Sequence, residues 1–259
     1  MLRPRFIPCL LIRDKGLVKT VKFGASKYVG DPINAVKIFN EKEADELIVL
    51  DIDASVTGAA PDFAVIKKLA AECRMPLCYG GGVKTVAQAK TIIGLGVEKV
   101  ALSSAALANP ELITAIAAEI GSQSVVVVLD VKKSLFGKYE VYTHHGKKAT
   151  GKSPVELARA AERLGAGEIV INSIDLDGQM KGYDLDLAKK VREAVALPMS
   201  VLGGAGSLAD IGKLIRTCGV VGAAAGSMFV FKGSYRAVLI NYPTVAERDG
   251  MISSALNVE

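Results

Sequence analysis

The feature that most constrains the fold is an alternation that runs along almost the whole chain. Short apolar runs of strand length are separated by longer windows in which apolar residues recur with helical spacing. Eight such runs occur, at 6–12, 47–50, 77–79, 100–102, 125–129, 169–171, 199–202 and 220–224. Alternating strands and helices predict a parallel sheet, and eight units predict a closed (β/α)8 barrel. An open doubly wound sheet is the alternative, but no GxGxxG motif follows the first run.

The two halves of the chain also resemble each other. Residues 46–53 match residues 168–175, and residues 79–84 match residues 202–207, at a nearly constant offset. The length of 259 residues is close to the ~250 typical of one barrel. We therefore predict an α/β TIM barrel built from two (βα)4 half-barrels. It would form a single domain over residues 1–259, with a short C-terminal tail from about residue 242.

Charge and cysteine usage restrict the partners and the compartment. Lys and Arg exceed Asp and Glu by 32 to 27, a mild excess that suits phosphorylated ligands but not nucleic acid. The four cysteines form no CxxC pair and no zinc-ligand pattern, so we expect a reduced protein without disulfides, metal or cofactor. The apolar run near the N-terminus is too short for a signal peptide or a membrane span. These features predict a cytoplasmic protein that does not bind membranes.

Asp130 is the first candidate for chemistry. It closes the run 125–129, whose β-branched residues predict a strand buried on both faces. In a barrel the C-terminal ends of the strands face the active site, so a carboxylate there indicates function. The alternative is an Asp that only ends the strand. Further strand-end carboxylates are Asp51, Asp53, Asp175 and Asp177, and the half-barrel counterpart of Asp130 is Leu11.

Small-residue turns after four of the runs predict two anion-binding sites for a ligand with two phosphates. Backbone N–H groups in such turns converge on phosphate oxygens. One predicted site uses Gly82, Ser103 and Ser104, and the other uses Gly178, Gly204, Gly226 and Ser227. Lys19, from the long lysine-rich loop after the first run, and Asp177 are added to the phosphate-binding set. For any single loop lysine, a solvated surface position is an equal alternative.

Four charged residues mark the opposite ends of the predicted strands. Arg5, Glu46, Lys99 and Glu168 each stand at the start of an apolar run. Two cations and two anions can neutralise one another as a ring, whereas a lone buried charge would be costly. Sequence alone leaves open whether the ring is a stabilising plug or a gate.

The chain resembles the cyclase subunit of imidazole glycerol phosphate synthase over nearly its whole length. The motifs that carry the resemblance include Arg5-x-Ile7-x-Cys9-Leu10, Gly80-Gly81-Gly82, Asp175-x-Asp177-Gly178 and Gly203-Gly204-Ala205-Gly206. The resemblance implies a glutaminase docked on the barrel bottom and ammonia that passes through the barrel to a phosphorylated, nucleotide-derived substrate. The four charged residues match that family's ammonia gate one for one.

The chain also departs from that family at positions that matter. The cyclase pairs two aspartates at the ends of strands one and five, whereas here Leu11 stands in place of the first and Asp130 is retained. Other differences fall at Ser103, Ala149, Asn172 and Leu202, and in the stretches 231–236 and 241–243. These features resemble the paralogue found with surface-polysaccharide genes. That resemblance implies ammonia delivery to a sugar amidotransferase, which converts an N-acetyl group into an acetamidino group in lipopolysaccharide or O-antigen synthesis.

Three functions therefore stand as hypotheses. We predict an ammonia-channelling subunit that forms a heterodimer with a glutaminase. The first alternative is an active cyclase subunit, a lyase of histidine biosynthesis. The second is a stand-alone sugar-phosphate isomerase, which would need two aspartates and no charged ring.

Overall fold

The computed structural model describes residues 3–233 and 235–256. The outermost residues of the predicted domain, and Ser234 in the stretch 231–236, lie outside the described residues. Eight parallel strands of the described chain close into a barrel, because each pairs with its sequence neighbour and the eighth pairs with the first. They are β1 (Arg5–Arg13), β2 (Leu47–Asp51), β3 (Leu77–Gly80), β4 (Lys99–Leu102), β5 (Val125–Lys133), β6 (Glu168–Ser173), β7 (Met199–Leu202) and β8 (Gly222–Ala225). The predicted (β/α)8 fold is confirmed.

Helices follow the barrel strands. They are α1 (Pro32–Glu41), α2 (Ala54–Thr57), α3 (Phe63–Glu72), α4 (Val86–Gly94), α5 (Ser104–Ala108), α6 (Glu111–Ile120), α7 (Pro154–Arg163), α8 (Leu185–Arg192), α9 (Leu208–Cys218), α10 (Ser227–Val230) and α11 (Val245–Leu256), with a 3-10 turn at Ser122–Ser124. Side-chain caps define several starts, as where Thr85 and Gln88 form a capping box at α4. No helix among residues 3–233 and 235–256 is long and apolar enough to cross a membrane.

Side chains of each strand alternate between two apolar clusters. Along β5, Val125, Val127 and Leu129 face the helices, whereas Val126 and Val128 face the barrel interior. The interior cluster comprises Ile7, Cys9, Ile48, Cys78, Ala101, Val126, Val128, Val170, Leu202 and Ala224, with Leu11 and Leu50 packed against it. This double burial explains why the run at 125–129 is continuously apolar.

The Gly- and Lys-rich segments 13–30 and 132–153, here called the first and second excursions, are predicted from the sequence as loops, but both contain strands. Gly16–Lys19 pairs with β1 and with Lys27–Gly30, and Tyr139–Thr143 pairs with the extended end of β5 and with Lys148–Ala149. The two excursions meet where the rings of Phe23 and His145 stack, with centroids 4.8 Å apart. Together they partly cover the C-terminal end of the barrel.

The segment predicted as a short tail contains α11. This helix packs on α9, where Gly212 leaves room for the thioether of Met251. Before α11, Phe231–Lys232 and Ala237–Val238 form a small antiparallel pair.

Candidate functional site

A cavity of about 600 Å³ opens at the C-terminal ends of the strands. Every residue predicted from the sequence for catalysis or phosphate binding lines it. These are Lys19, Gly82, Ser103, Ser104, Asp130, Asp177, Gly178, Gly204, Gly226 and Ser227. The structure therefore brings the set together, and their roles in chemistry and binding stay predictions.

Asp130 is a half-buried carboxyl at an inward-facing position of β5. It lies opposite Asn172 of β6, whose Nδ2 donates a hydrogen bond of 2.8 Å to the Asp130 Oδ1. Burial raises the pKa of Asp130 to about 6, against the lowering effect of that hydrogen bond and with a further rise from nearby Asp177. A carboxyl with this pKa can release or take up a proton near neutral pH.

The neighbouring strand-end carboxylates are occupied by structural contacts. Asp51 accepts hydrogen bonds of 3.1 Å from the backbone N–H groups of Asp53 and of the next residue. Asp53 pairs with Arg13 at 2.6 Å, and the hydrogen bond from that guanidinium lowers the Asp53 pKa. Asp175 accepts from the backbone of Lys133 at 2.8 Å. Asp130 is thus the strand-end acid best placed for chemistry.

Lys19 lies beside Gly226, the residue of the predicted anion site that follows β8. Its side chain is only 5% exposed, and its Nζ donates to the Cys9 carbonyl at 2.6 Å. A Cβ added at Gly226 would lie 2.6 Å from the same Nζ, so the glycine allows the amine to approach the turn before α10. Burial lowers the Lys19 pKa, partly offset by Cys9 and Asp177. An anion between this amine and the turn would compensate the buried charge.

The Asp177–Gly178 turn joins this part of the cavity to the first excursion. Asp177 accepts hydrogen bonds from the Thr20 hydroxyl at 2.8 Å and from the Phe23 N–H at 3.3 Å. Gly178 has φ of 68°, and a Cβ there would clash with the Thr20 carbonyl. Asp177 therefore anchors the covering excursion, and direct contact with phosphate stays a prediction for it.

The half-barrel counterpart of this site is formed by Gly82, Ser103 and Ser104. Gly82 has φ of 74°, and a Cβ added there would lie 2.7 Å from the Ala59 carbonyl. The Ser104 hydroxyl accepts a hydrogen bond of 3.0 Å from the His144 N–H and so ties the second excursion to the barrel. The buried Ser103 hydroxyl has no protein partner among the described residues. A ligand atom in the cavity could supply one.

The cavity wall reflects the departures from the cyclase pattern. Leu11 on β1 lies beside Leu50 on β2, and both line the cavity together with Leu202 on β7. Ala149 lies exposed on the second excursion and does not line the cavity. The cavity thus combines three carboxyl groups, those of Asp51, Asp130 and Asp177, with an apolar wall.

The charged ring, formed by Arg5, Glu46, Lys99 and Glu168, lies at the opposite end of the barrel. Arg5 contacts Glu46 directly and reaches Glu168 at 2.7 Å, and Lys99 lies 2.7 Å from Glu46 and 2.8 Å from Glu168. Burial lowers the Lys99 pKa, but the two carboxylates outweigh burial and raise it overall. Burial opposes ionisation of Glu168, but the two cations hold its pKa below its ordinary value. The ring thus combines two basic and two acidic side chains, each in contact with two of opposite charge.

Sequence reasoning missed Ser200, which adds a fifth polar group to this level of the barrel. Its hydroxyl is fully buried and donates to Glu168 Oε1 at 2.6 Å. A Cβ added at Gly222 would clash with that hydroxyl. A sequence pattern could have identified it, because Ser200 is the one polar residue within the apolar run 199–202.

The four cysteines are buried or half-buried, and Cys9 lines the cavity. All four are free thiols, and burial raises the pKa of Cys9 to about 12 and that of Cys73 to about 11. Within the described parts of the chain, no group of three or more His, Cys, Asp and Glu residues is arranged to hold a metal ion.

Comparisons with known proteins place this geometry in a family. A Vibrio vulnificus protein provisionally named imidazole glycerol phosphate synthase subunit hisF3 is 60% identical over 249 residues, or 96% of each chain. A Pseudomonas aeruginosa protein provisionally named subunit hisF2 is 53% identical over 250 residues, covering 96% of this chain and 99% of the relative. The imidazole glycerol phosphate synthase subunit HisF of Alkaliphilus metalliredigens is 41% identical over 229 residues, covering 88% and 91%. Because the histidine biosynthesis protein model also matches residues 5–236, this chain belongs to the histidine biosynthesis protein family.

Proposed function

We propose that this chain is the ammonia-channelling barrel subunit of a cytoplasmic glutamine amidotransferase system. It would pair with a glutaminase at the barrel bottom and carry ammonia to the cavity at the top. The observation that carries the proposal is the charged ring, which joins β1, β2, β4 and β6 across the bottom of the barrel. Glu46 and Glu168 are buried and Arg5 and Lys99 are half-buried, so the ring is held by ionic contacts that could open and reclose.

The barrel interior above the ring suits a small neutral molecule. Several side chains there are small, among them Cys78, Ala101 and Ala224. Moving ammonium through such an apolar layer would cost much desolvation free energy, whereas neutral ammonia carries no net charge. Passage would therefore favour ammonia over ammonium and exclude bulk water. Thermal fluctuations of the packed interior side chains would open a path for ammonia.

Cyclase chemistry of its own is weakened in this proposal. By resemblance, that chemistry needs a carboxylate from β1 as well as Asp130, and the β1 position holds Leu11. A leucine cannot transfer a proton, and each such transfer typically contributes about 10² to 10⁴ in rate. The apolar surroundings, to which Leu11 contributes, also disfavour the ionised form of Asp130. Asp130 is therefore protonated up to a higher pH, where it can act as an acid but not as a base.

We further propose that the ammonia serves a sugar amidotransferase that makes acetamidino groups for surface polysaccharide. Support comes from the resemblance to the polysaccharide-associated paralogue and from the pattern of relatives. Those above 50% identity carry provisional names, two of them numbered hisF2 and hisF3. Relatives near 40% carry the unqualified HisF name. The chain is thus more similar to the provisionally named group.

The second candidate is an active cyclase subunit in histidine biosynthesis. It is favoured by Asp130, whose pKa of about 6 suits acid–base work, and by the gathering of every predicted phosphate residue in one cavity. Both functions use a glutaminase, so only the chemistry at the top separates them.

A direct assay distinguishes the two candidates. The purified chain is given ammonium chloride at alkaline pH and the nucleotide-derived substrate of imidazole glycerol phosphate synthase. We expect no detectable imidazole glycerol phosphate, with an authentic cyclase subunit as the positive control. Rapid formation of that product by the unmodified chain would return it to histidine biosynthesis.

Complex formation is tested separately. Mixed at roughly 10 μM, well above the affinities typical of specific interfaces, the chain and its cognate glutaminase should elute from size exclusion as a 1:1 complex. Separate elution would remove the basis for channelling.

A further inference from the structure

The segment before α11 contacts the barrel directly beside the charged ring. The hydroxyl of Tyr242, a residue only 8% exposed, donates a hydrogen bond of 2.7 Å to the Phe6 carbonyl. The same hydroxyl accepts one of 3.0 Å from the Asp45 N–H. One side chain from the C-terminal segment thus bridges the start of β1 and the residues that lead into β2.

The two bridged residues are the immediate neighbours of ring members. Phe6 belongs to the outer apolar cluster, and by strand alternation Arg5 points inward. Asp45 precedes Glu46 and turns its carboxylate outward, where Oδ2 accepts from the Phe6 N–H at 2.8 Å. Three hydrogen bonds therefore fix the backbone behind Arg5 and Glu46, the two ring residues on adjacent strands.

Arg248 of α11 completes the arrangement. It is 3% exposed, and its guanidinium lies 4.9 Å from the centre of the Tyr242 ring. Its Nη1 donates to the Pro243 carbonyl at 3.1 Å, and its Nε lies 3.6 Å from the Asp45 Oδ1. A buried arginine is costly without partners, so these contacts specify the geometry of the segment beyond simple apolar packing.

We infer that Asp45, Tyr242 and Arg248 form a clamp that positions the charged ring from outside the barrel. The inference rests on the proposed function, because it assigns the clamp a part in closing the ammonia entrance. Loss of the Tyr242 hydroxyl leaves the Phe6 carbonyl and the Asp45 N–H without their bridge. The Arg5–Glu46 contact loosens first. Because Glu46 is then less constrained, its ion pair with Lys99 weakens as well. Tyr242, Asp45 and Arg248 are positioning residues that touch neither ammonia nor substrate.

The first test reads ring geometry without any ammonia chemistry. The rate at which acetic anhydride modifies the Lys99 amine is measured by mass spectrometry in the full chain. Tyr242→Phe should raise that rate about threefold to tenfold, the range expected when the net contribution of one hydrogen bond is lost. Lys99 lies on β4 and its ion pairs are with Glu46 and Glu168. If Tyr242 stabilised only its own surroundings, its loss would not change the acetylation rate of Lys99.

Two variants serve as controls. Tyr139→Phe also removes one tyrosine hydroxyl with a side-chain hydrogen bond, here 2.8 Å to Asp184, on the second excursion. It should leave the Lys99 rate unchanged at a similar cost in stability. Glu168→Gln acts on the ring directly and should raise the rate. If Glu168→Gln raises the rate and Tyr242→Phe does not, the clamp inference is wrong. If neither raises it, the ring does not hold Lys99 and the inference fails with it.

The second test uses the complex with its glutaminase and the proposed sugar amidotransferase. Glutamine labelled with ¹⁵N in its amide supplies the ammonia, and unlabelled ammonium is present in solution. Tyr242→Phe should lower the ¹⁵N fraction of the product, as Lys99→Ala should by opening the ring. A lower fraction in Lys99→Ala alone would overturn the clamp and keep the proposed function. An unchanged fraction in Lys99→Ala would overturn the proposed channelling, and the clamp's part in it, even where Lys99 labelling responds to Tyr242.

Arg248→Gln gives an independent variant of the clamp. It leaves the Tyr242 hydroxyl in place but removes the cation over the tyrosine ring. It should raise Lys99 acetylation in the same direction as Tyr242→Phe. Wild-type acetylation in a folded Arg248→Gln protein, judged by circular dichroism, would exclude Arg248 from the clamp.

Discussion

Burial gives Asp130 a proton affinity that makes folding depend on pH. Its pKa is about 6 in the folded chain and 3.8 ordinarily, so the folded state binds the proton more tightly. The contribution of Asp130 to stability is therefore full below about pH 4 and is lost as the pH rises to about 6. Asp130→Asn removes this loss. The difference in unfolding free energy between the variant and the wild type should therefore be more favourable to the variant at pH 7 than at pH 4, by up to about 3 kcal/mol. Urea unfolding at several pH values measures it, and a pH-independent difference would contradict the assignment.

A second residue-scale prediction concerns Leu11, which shares the cavity with Asp130. Leu11→Asp adds a further carboxylate to the cavity, and like charges raise the pKa of at least one member of an interacting pair. NMR titration of Leu11→Asp should show an Asp130 pKa above 6, whereas Leu11→Asn should leave the Asp130 pKa near 6. Cyclase activity should return only in part, because Ser103, Asn172 and Leu202 also differ. Full activity in Leu11→Asp would mean that those three differences do not matter.

At the element scale, β7 and β8 approach closely because Gly222 has no side chain. Gly222→Ala would push a Cβ into the Ser200 hydroxyl and close to Ile7, so we expect a loss of about 1–3 kcal/mol in unfolding free energy. Ser200→Ala in the same chain should recover part of the loss. Gly94→Ala, where an added Cβ meets no atom within 4 Å, is the matched control and should be neutral or stabilising. Additive effects of Gly222→Ala and Ser200→Ala would show that the clash lies elsewhere.

The same scale explains what periodicity could and could not predict. Buried parallel strands must be apolar on both faces, so eight short apolar runs predict the eight barrel strands. The Gly- and Lys-rich composition of the two excursions instead predicts loops. Within the second one, Tyr139–Thr143 alternates between buried and half-buried residues, a strand signal too short to stand out.

At the scale of the whole molecule, the topology made the site predictable in outline. C-terminal strand ends of a barrel meet at one face, so residues distant in sequence could be assigned to one cavity. Specific pairs could not be assigned. The Asp130–Asn172 hydrogen bond depends on the register of two strands, and Tyr242 reaches Asp45 from the far end of the chain. Such contacts depend on packing between remote segments, which local patterns do not encode.

The central claim is that ammonia travels through the barrel, and isotope competition tests it most directly. The complex of this chain with its glutaminase and the sugar amidotransferase receives amide-¹⁵N glutamine together with a tenfold excess of unlabelled ammonium, at about pH 7 where little ammonium is deprotonated. We predict a product labelled mainly with ¹⁵N, and a fall in that label when Lys99→Ala opens the charged ring. A product whose label follows the bulk ammonium in the wild-type complex would contradict passage through the barrel.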